Sequence, residues 1–167
     1  MNIIINKKKY NYKLFDTNEL IELIRHDKKF IEALENTIKI YRKNENFKIF
    51  DLIREYIHSK LDDITNYFII YKKDIIISTL RFYYNLKKKS GYFNLVYTNP
   101  DYRGQQICQN SIKYLIELNE KICNKFELEV DIDNASAIKC YENIGFKKIK
   151  ETNYDGKIIC LMRLKIR

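Results

Sequence analysis

Residues 95–108, with the sequence LVYTNPDYRGQQIC, contain the change of pattern that decides the fold. An apolar and aromatic run ends at Pro100, the only proline of the chain, which has no N–H for a strand ladder. A turn carrying Arg103 and Gly104 follows, and from Gln105 the apolar spacing becomes that of a helix. A helix start offers unpaired N–H groups and the positive end of the helix dipole, so we predict a phosphate or pyrophosphate site here. The apolar residues of the helical pattern are Ile107, Ile112, Leu115, Ile116 and Ile122.

The first third of the chain combines short strands with helical patterns. Residues 3–5 and 10–15 are strand candidates. The N-cap residues at 16–18, followed by Glu19, predict a helix start. Three amphipathic helical runs follow, with apolar residues three and four positions apart. These residues are Leu20, Leu23 and Ile24 in the first run, Phe30, Ile31, Leu34, Ile38 and Tyr41 in the second, and Ile49, Ile53, Tyr56, Ile57 and Leu61 in the third.

The second part of the chain is predicted to supply most of one mixed sheet. A short helix with Ala137, Cys140, Tyr141 and Ile144 on one face should end at Gly145. The order of elements predicts an α+β fold, and 167 residues fit a single domain spanning residues 1–167. Strands are expected at 67–71 and 75–84 around a turn at 72–74, at 92–97, at 126–130, and in a closing hairpin of 146–150 and 157–164.

The composition is that of a globular protein with a basic surface. Apolar residues make up 46% and charged residues 32% of the chain, and no stretch approaches the ~18–20 uncharged apolar residues of a membrane span. The formal net charge of +9 attracts polyanions such as nucleic acid or a phosphorylated cofactor. The same charge also follows from a composition rich in residues with AT-rich codons (Ile, Asn, Lys and Tyr), and both explanations stay open.

The cysteines indicate a reducing compartment. Cys108, Cys123, Cys140 and Cys160 form no CxxC pair, and neither histidine of the chain is close to them in sequence. We therefore expect no metal site and interpret these residues as reduced thiols.

The N-terminus also lacks the pattern of a signal peptide, so a cytoplasmic location and no membrane association are expected.

Two segments carry a resemblance to a known family. Residues 96–108, VYTNPDYRGQQIC, are similar to a pyrophosphate loop that usually follows the pattern R/Q-x-x-G-x-G/A after a strand end. Residues 134–146, NASAIKCYENIGF, fill every fixed position of the pattern N-x-x-A-x-x-x-Y-E-x-x-G-F. Together they resemble the GNAT superfamily of acetyl-CoA-dependent N-acetyltransferases, well over residues 64–167 and in outline before them. The resemblance implies a mixed, mostly antiparallel central sheet with flanking helices, and splayed strands that open a cofactor wedge between the Tyr92 and Phe126 strands.

The first segment departs from the family pattern at two positions. Gln106 stands where glycine is usual, and Cys108 stands where glycine or alanine is usual. Small residues there let the helix backbone approach the pyrophosphate closely. Because Gln106 still supplies a backbone N–H and Gly104 keeps one flexible point, we expect coenzyme binding to survive with lower affinity.

The resemblance implies roles for the residues of both segments. Backbone groups of Val96 and Thr98 would hold the pantetheine arm as if it were an added strand. Asn134 would lie near the pantetheine, and Lys139 would either meet a phosphate of CoA or remain a solvated residue on a helix face. The implied cofactor-binding residues are Val96, Tyr97, Thr98, Arg103, Gly104, Gln105, Gln106, Ile107, Cys108, Asn134, Lys139 and Tyr141.

Tyr141 is the expected catalytic residue. In a direct transfer the amine attacks the thioester and CoA leaves as a thiolate. A tyrosine hydroxyl with an ordinary pKa of ~10 is protonated at neutral pH, and it can donate to the forming anion of a thiol whose pKa is ~8.5. The alternative is a core tyrosine that only fills a helix face.

The general base is left open. Many family members place a glutamate on the strand before the pyrophosphate loop, but the matching position here is Tyr92, and Asn94 on the same strand is not a base. The amine proton would then leave through ordered water, or through Glu129 or Asp131 on the next strand. The alternative for these two carboxylates is ordinary surface charge.

The acceptor pocket is expected in the segment from Asp16 to Asp63. Its acidic residues would favour a cationic acceptor if they faced the cleft, and otherwise lie on solvated helix faces. Tyrosines on the strands would line the pocket or pack within the sheet. The acidic residues are Glu19, Glu22, Asp51, Glu55, Asp62 and Asp63, and the tyrosines are Tyr67, Tyr71, Tyr83 and Tyr84.

The expected function is transfer of an acetyl group from acetyl-CoA, as cosubstrate, to an unidentified amine of a small molecule or protein, by a monomer or homodimer. The main alternative is a GNAT-like module that binds acyl-CoA with little or no catalysis. A nucleic-acid-binding protein is favoured by the charge alone, because no recognised nucleic-acid motif accompanies it.

Overall fold

The computed structural model describes residues 1–42, 44–51, 63–73 and 75–166. The predicted α+β class is confirmed, and the N-terminal strand candidates form a hairpin. Residues 49–51 of the third predicted helical run are helical, and the rest of that run lies outside the described ranges. The elements in chain order are β1 (Asn2–Ile5), β2 (Lys8–Asp16), α1 (Thr17–His26), α2 (Lys28–Arg42), β3 (Asp63–Lys72), β4 (Ile75–Asn85), β5 (Ser90–Thr98), α3 (Ile107–Asn119), β6 (Lys125–Asp131), α4 (Ala135–Ile144), β7 (Lys147–Tyr154) and β8 (Lys157–Lys165).

The strands form one sheet in the order β1-β2-β3-β4-β5-β6-β8-β7. Neighbouring strands run antiparallel, apart from the parallel pair β5 and β6 at the centre. That parallel ladder extends from Ser90 opposite Lys125 to Phe93 opposite Leu128 and then stops. The carboxyl ends of β5 and β6 are therefore unpaired with each other, which is the wedge expected between the Tyr92 and Phe126 strands.

A β-bulge in β5 accompanies the wedge. Thr79 of β4 is paired with Tyr97 and Arg81 with Asn94, so two residues of β5 stand opposite one residue of β4. Leu95, inside this bulge, has a φ of 49°. An extra residue bends its strand and increases the local twist. The bulge thus turns the end of β5 away from β6.

The sheet separates two apolar cores. One core contains Phe93 and lies under α3 and α4, and the other contains Leu95 and lies under α1 and α2. Residues two apart on a regular strand share a face, so the bulge explains why these two residues face opposite cores. Phe93 is the centre of an aromatic cluster, with ring centroids 4.9 Å from Phe82 and 5.8 Å from Phe126. This cluster lies directly beneath the point where the strands separate.

Local sequence signals account for most element boundaries. Asp16 accepts a hydrogen bond from the Glu19 N–H, and the Glu19 carboxylate accepts one from the Asp16 N–H, which is a capping box. Gly145 ends α4 with a φ of 114°, a conformation that favours glycine. One helical assignment is wrong: α3 ends at Asn119, so Ile122 lies beyond the helix and is exposed. No helix within the described ranges is long and apolar enough to cross a membrane.

Candidate active site

The wedge between β5 and β6 exposes backbone from one strand. The Tyr97 carbonyl accepts a hydrogen bond from Ser78 Oγ at 2.8 Å, and the Leu95 carbonyl accepts one from Thr79 Oγ1 at 3.0 Å. Both bonds point toward β4. Because the backbone groups of successive residues in a strand point in alternate directions, those of Val96 point toward the wedge. An extended ligand chain can pair with this edge as a further strand would.

The loop after β5 is held by its own short side chains. Asn99 donates its N–H to the Ile77 carbonyl at 2.8 Å, and its side-chain oxygen accepts the Asp101 N–H at 3.1 Å. Arg103 is exposed, and its Nε donates to the Thr98 carbonyl at 3.2 Å. Gly104 has a φ of 72°, with open space where a side chain would begin. The loop therefore leads from the wedge to the start of α3 in a conformation that depends on glycine.

Gln106 is the residue before α3 and has a left-handed backbone, with φ 59° and ψ 18°. It makes no side-chain capping bond, while its carbonyl accepts bonds from the N–H and the side chain of Asn110. A left-handed conformation costs a non-glycine residue roughly 1–2 kcal/mol. The family pattern has glycine at this position, and the left-handed backbone explains this preference. The spacing of residues in the sequence did not indicate that backbone conformation.

Replacing Gln106 with glycine should stabilise the protein by about 1 kcal/mol, since glycine adopts this backbone without strain. Thermal unfolding should then show a melting temperature about 2–4 °C higher. The control is Lys113→Gly at an exposed position in the middle of α3, which should cost about 1 kcal/mol because glycine weakens a helix interior. A Gln106→Gly protein that melts below the wild type would contradict the backbone assignment.

Gln105 is tied to the N-terminal hairpin, a contact that the sequence did not predict. Its side-chain oxygen accepts bonds from Lys8 Nζ at 3.1 Å and Tyr10 OH at 3.2 Å, and its carbonyl accepts one from Asn6 Nδ2 at 2.7 Å. The Gln105 side chain, expected at the pyrophosphate, is therefore directed to the β1–β2 hairpin. The hairpin is nearly a hundred residues away in sequence, and no local signal links it to the loop.

Helix α4 brings the second motif beside the loop. Asn134 is its N-cap and accepts the Ala137 N–H at 3.2 Å, so this side chain orders the helix start. Tyr141 is 5% exposed, and its ring centroid is 6.3 Å from that of Phe146. Lys139 is exposed on the same helix. Cys140 Sγ donates to Cys108 Sγ at 3.0 Å, which joins the helix to the end of the loop.

Tyr92 of β5 and Glu129 of β6 lie beside the wedge, on the face of the sheet opposite α3 and α4. Burial raises the pKa of the Tyr92 hydroxyl, and the nearby negative charge of Glu129 raises the pKa further. Tyr92 also stacks on Tyr83 with ring centroids 5.0 Å apart. The neighbouring Glu127 is paired with Arg163 at 2.6 Å. A protonated phenol and a carboxylate therefore lie close together on the face of the sheet that faces away from α3 and α4.

The acidic and aromatic residues of the expected acceptor pocket have structural partners where they are described. Glu19 belongs to the capping box, Glu22 pairs with Arg25 at 2.8 Å, and Asp51 accepts the Lys48 N–H at 2.8 Å. Tyr67 is buried in the core under α1 and α2. These contacts favour the alternative in which the acidic residues lie on solvated helix faces and the tyrosines pack within the sheet. Glu55, Asp62 and the side chain of Asp63 lie outside the described part of the chain.

The chain is similar to known proteins in sequence and in structure. The model of the "Acetyltransferase (GNAT) family" matches residues 29–146. A curated relative, N-alpha-acetyltransferase 30 from Dictyostelium discoideum, is 38% identical over 61 residues, which cover 36% of this chain and 33% of that protein. The matched segment thus spans about a third of this relative's length.

Solved structures share the fold. The ribosomal-protein-S18-alanine N-acetyltransferase from Escherichia coli has a TM-score of 0.64 at 18% identity, with 94% of each chain covered. The spermidine N-acetyltransferase from Vibrio cholerae, solved with CoA and spermine, has a TM-score of 0.62 at 18% identity, with 93% of this chain and 95% of that chain covered. The family match spans most of this chain, including both motifs up to Phe146. The chain therefore belongs to the GNAT family of acetyltransferases, which are acyltransferase enzymes.

Proposed function

We propose that the protein, as one domain of residues 1–167, transfers an acetyl group directly from acetyl-CoA to an amine. One observation carries this proposal: the β5–β6 ladder stops at Phe93, leaving a wedge with the Arg103–Cys108 loop at its mouth and the Tyr141 helix beside it. The wedge suits the pantetheine arm, and the loop with its following helix start suits the pyrophosphate. Four unpaired thiols agree with a cytoplasmic location.

Tyr141 is the proposed acid. In the reaction the amine nitrogen bonds to the acetyl carbon, and the carbon–sulfur bond breaks as the tetrahedral intermediate collapses. Sulfur leaves as a thiolate, and a neutral phenol can supply its proton. Tyr141 is on α4, the helix bonded to the end of the pyrophosphate loop through Cys140 and Cys108. The same helix follows β6, one of the two strands that form the wedge, and Tyr141 lies in the same core as Phe93 and Leu128, the last paired residues of these strands. This position beside the wedge supports a role of Tyr141 at the thioester.

Glu129 is the proposed acceptor of the amine proton. The carboxylate lies close to the Tyr92 hydroxyl, whose raised pKa keeps it protonated, so Tyr92 does not compete with Glu129 for the amine proton. Glu127, by contrast, is neutralised by Arg163. A positioned carboxylate on the strand beside the wedge suits both attraction of a protonated amine and removal of its proton.

Replacing Glu129 with glutamine should lower kcat of acetyl transfer by roughly 10²-fold, because a positioned base contributes about 10²–10⁴. Steady-state kinetics measure the loss, and thermal unfolding checks that the fold persists. Glu151→Gln, an exposed carboxylate on β7, is the matched control and should leave the rate unchanged. Equal rates for Glu129→Gln and the wild type would assign the proton transfer to water.

A thiol-release assay over a panel of amines tests the proposed function. Spermidine, peptides with a free N-terminus and lysine-containing peptides are each incubated with acetyl-CoA and the full chain. Amine-dependent release of CoA thiol, with acetylated amine detected by mass spectrometry, supports catalysis. Saturable acetyl-CoA binding without turnover on any amine would instead favour the alternative, an acyl-CoA-binding module, which is suggested by Tyr92 at the position where many family members have a glutamate.

A further inference from the structure

We propose that Cys108 and Cys140 form a redox-modification site, a dithiol that a hydroperoxide converts into a disulfide across the mouth of the coenzyme wedge. The effect on the coenzyme rests on the proposed function. The disulfide itself rests only on the geometry of the two thiols.

The geometry of the pair separates it from the other thiols. Cys108 and Cys140 are half-buried, with their sulfur atoms 3.0 Å apart although 32 residues separate them in sequence. A disulfide requires a sulfur–sulfur distance of about 2.05 Å, so the two atoms must approach by about 1 Å. Cys123 and Cys160 are buried in the core at 2% and 0% exposure. Only small movements of α3 and α4 therefore separate the Cys108–Cys140 pair from a covalent bond.

The two thiols differ in pKa, and the reaction requires one thiol that ionises more easily than the other. The hydrogen bond between them lowers the pKa of Cys140, because Cys108 donates to the Cys140 thiolate once that proton is lost. The same hydrogen bond, together with burial, raises the pKa of Cys108. A thiolate is the form that attacks an oxidant, so Cys140 is the attacking residue and Cys108 the resolving one.

The oxidation balances with hydrogen peroxide as the oxidant. The Cys140 thiolate attacks one peroxide oxygen, the O–O bond breaks, and a sulfenic acid and hydroxide form. Cys108 sulfur then attacks the sulfenic sulfur, the S–O bond breaks, and hydroxide leaves and takes up the Cys108 proton as water. Two thiols lose two electrons and two protons in total, and the peroxide is reduced to two molecules of water.

The disulfide would connect α3 and α4, the two helices that follow the strands of the wedge. Cys108 is in the first turn of α3, which follows β5, and Cys140 is in α4, which follows β6. The wedge opens between these same two strands, so drawing the helices together narrows its mouth. Cys140 also directly precedes Tyr141, the proposed acid. Oxidation should therefore weaken acetyl-CoA binding, and a thiol reductant should restore it.

Non-reducing peptide mapping tests the disulfide. Trypsin releases residues 104–113 (GQQICQNSIK) with Cys108 and residues 140–147 (CYENIGFK) with Cys140. After peroxide treatment the full chain should lose two hydrogen atoms, and these two peptides should appear joined. The joined pair should be absent from Cys140→Ser and present in the control Cys123→Ala. Oxidation of the wild type without the joined pair would overturn the proposal.

Calorimetric titration of acetyl-CoA into reduced and oxidised protein tests the consequence. The oxidised wild type should bind at least fivefold more weakly and recover with dithiothreitol, while peroxide should not change the affinity of Cys140→Ser. Equal affinities in the presence of the joined peptides would overturn the regulatory role. If the reduced protein binds no acetyl-CoA, the proposed function fails, and the peptide map still decides whether the dithiol is oxidised.

Discussion

Tyr141→Phe should lower the rate of acetyl transfer by roughly 10²–10⁴-fold, the usual contribution of a positioned acid. Acetyl-CoA affinity should change little, because phenylalanine keeps the ring that packs beside Phe146 and removes only the hydroxyl. A loss of kcat without a loss of coenzyme binding is the signature of an interaction made mainly in the transition state.

Tyr154→Phe provides the matched control. Tyr154 is 59% exposed in the β7–β8 hairpin and loses the same hydroxyl far from the two motifs in the fold. Its rate should equal that of the wild type. Thiol release measures the rate, calorimetry measures acetyl-CoA affinity, and thermal unfolding compares stability. Wild-type turnover in Tyr141→Phe would remove its acid role and leave Tyr141 as a core residue.

Phe93→Ala should destabilise the protein by about 3–5 kcal/mol, the range for removing a buried phenylalanine ring. Phe93 is 1% exposed and contacts the rings of Phe82, Phe126 and Phe146. It is also the last residue of β5 paired with β6. The cavity would therefore form directly beneath the point where the strands separate, and coenzyme binding should weaken along with stability.

Thermal unfolding measures the effect of Phe93→Ala, which should lower the melting temperature by roughly 6–20 °C at about 2–4 °C per kcal/mol. Ile149→Ala is the control, since Ile149 is a large apolar residue of the sheet that is 47% exposed. Its melting temperature should fall by only about 2 °C, as is usual for exposed sites. A loss of stability in Phe93→Ala no larger than in this control would contradict the position given to the aromatic core.

The elements that the sequence predicted correctly depend on local signals. Asp16 with Glu19 predicts a capped helix, Pro100 ends a strand, and Gly145 ends a helix, because each signal acts on its neighbours in the chain. The strand pattern of the second half is confirmed for the same reason. The end of α3 was missed, since Ile122 continues the apolar spacing after the helix has stopped at Asn119.

The features that the sequence did not predict depend on contacts between distant segments. The bulge at Leu95 arises where β5 pairs with β4, and it moves Leu95 to the core opposite Phe93. The bond from Lys8 to Gln105 joins residues almost a hundred positions apart. The Cys108–Cys140 contact was implicit in the two motifs, because a resemblance that brings the loop and α4 together also brings these thiols together. The roles of Tyr141 and Glu129 stay predictions.

Calorimetric titration of acetyl-CoA into the reduced full chain tests the central claim most directly. The wedge, the loop and the helix start should together bind one acetyl-CoA per chain in a saturable manner, and CoA should compete for the same site. Thermal unfolding in the presence of the coenzyme should show a matching stabilisation, because a ligand that binds only the folded state raises its stability. No heat of binding and no thermal shift at millimolar acetyl-CoA would contradict the claim that this wedge is a coenzyme site.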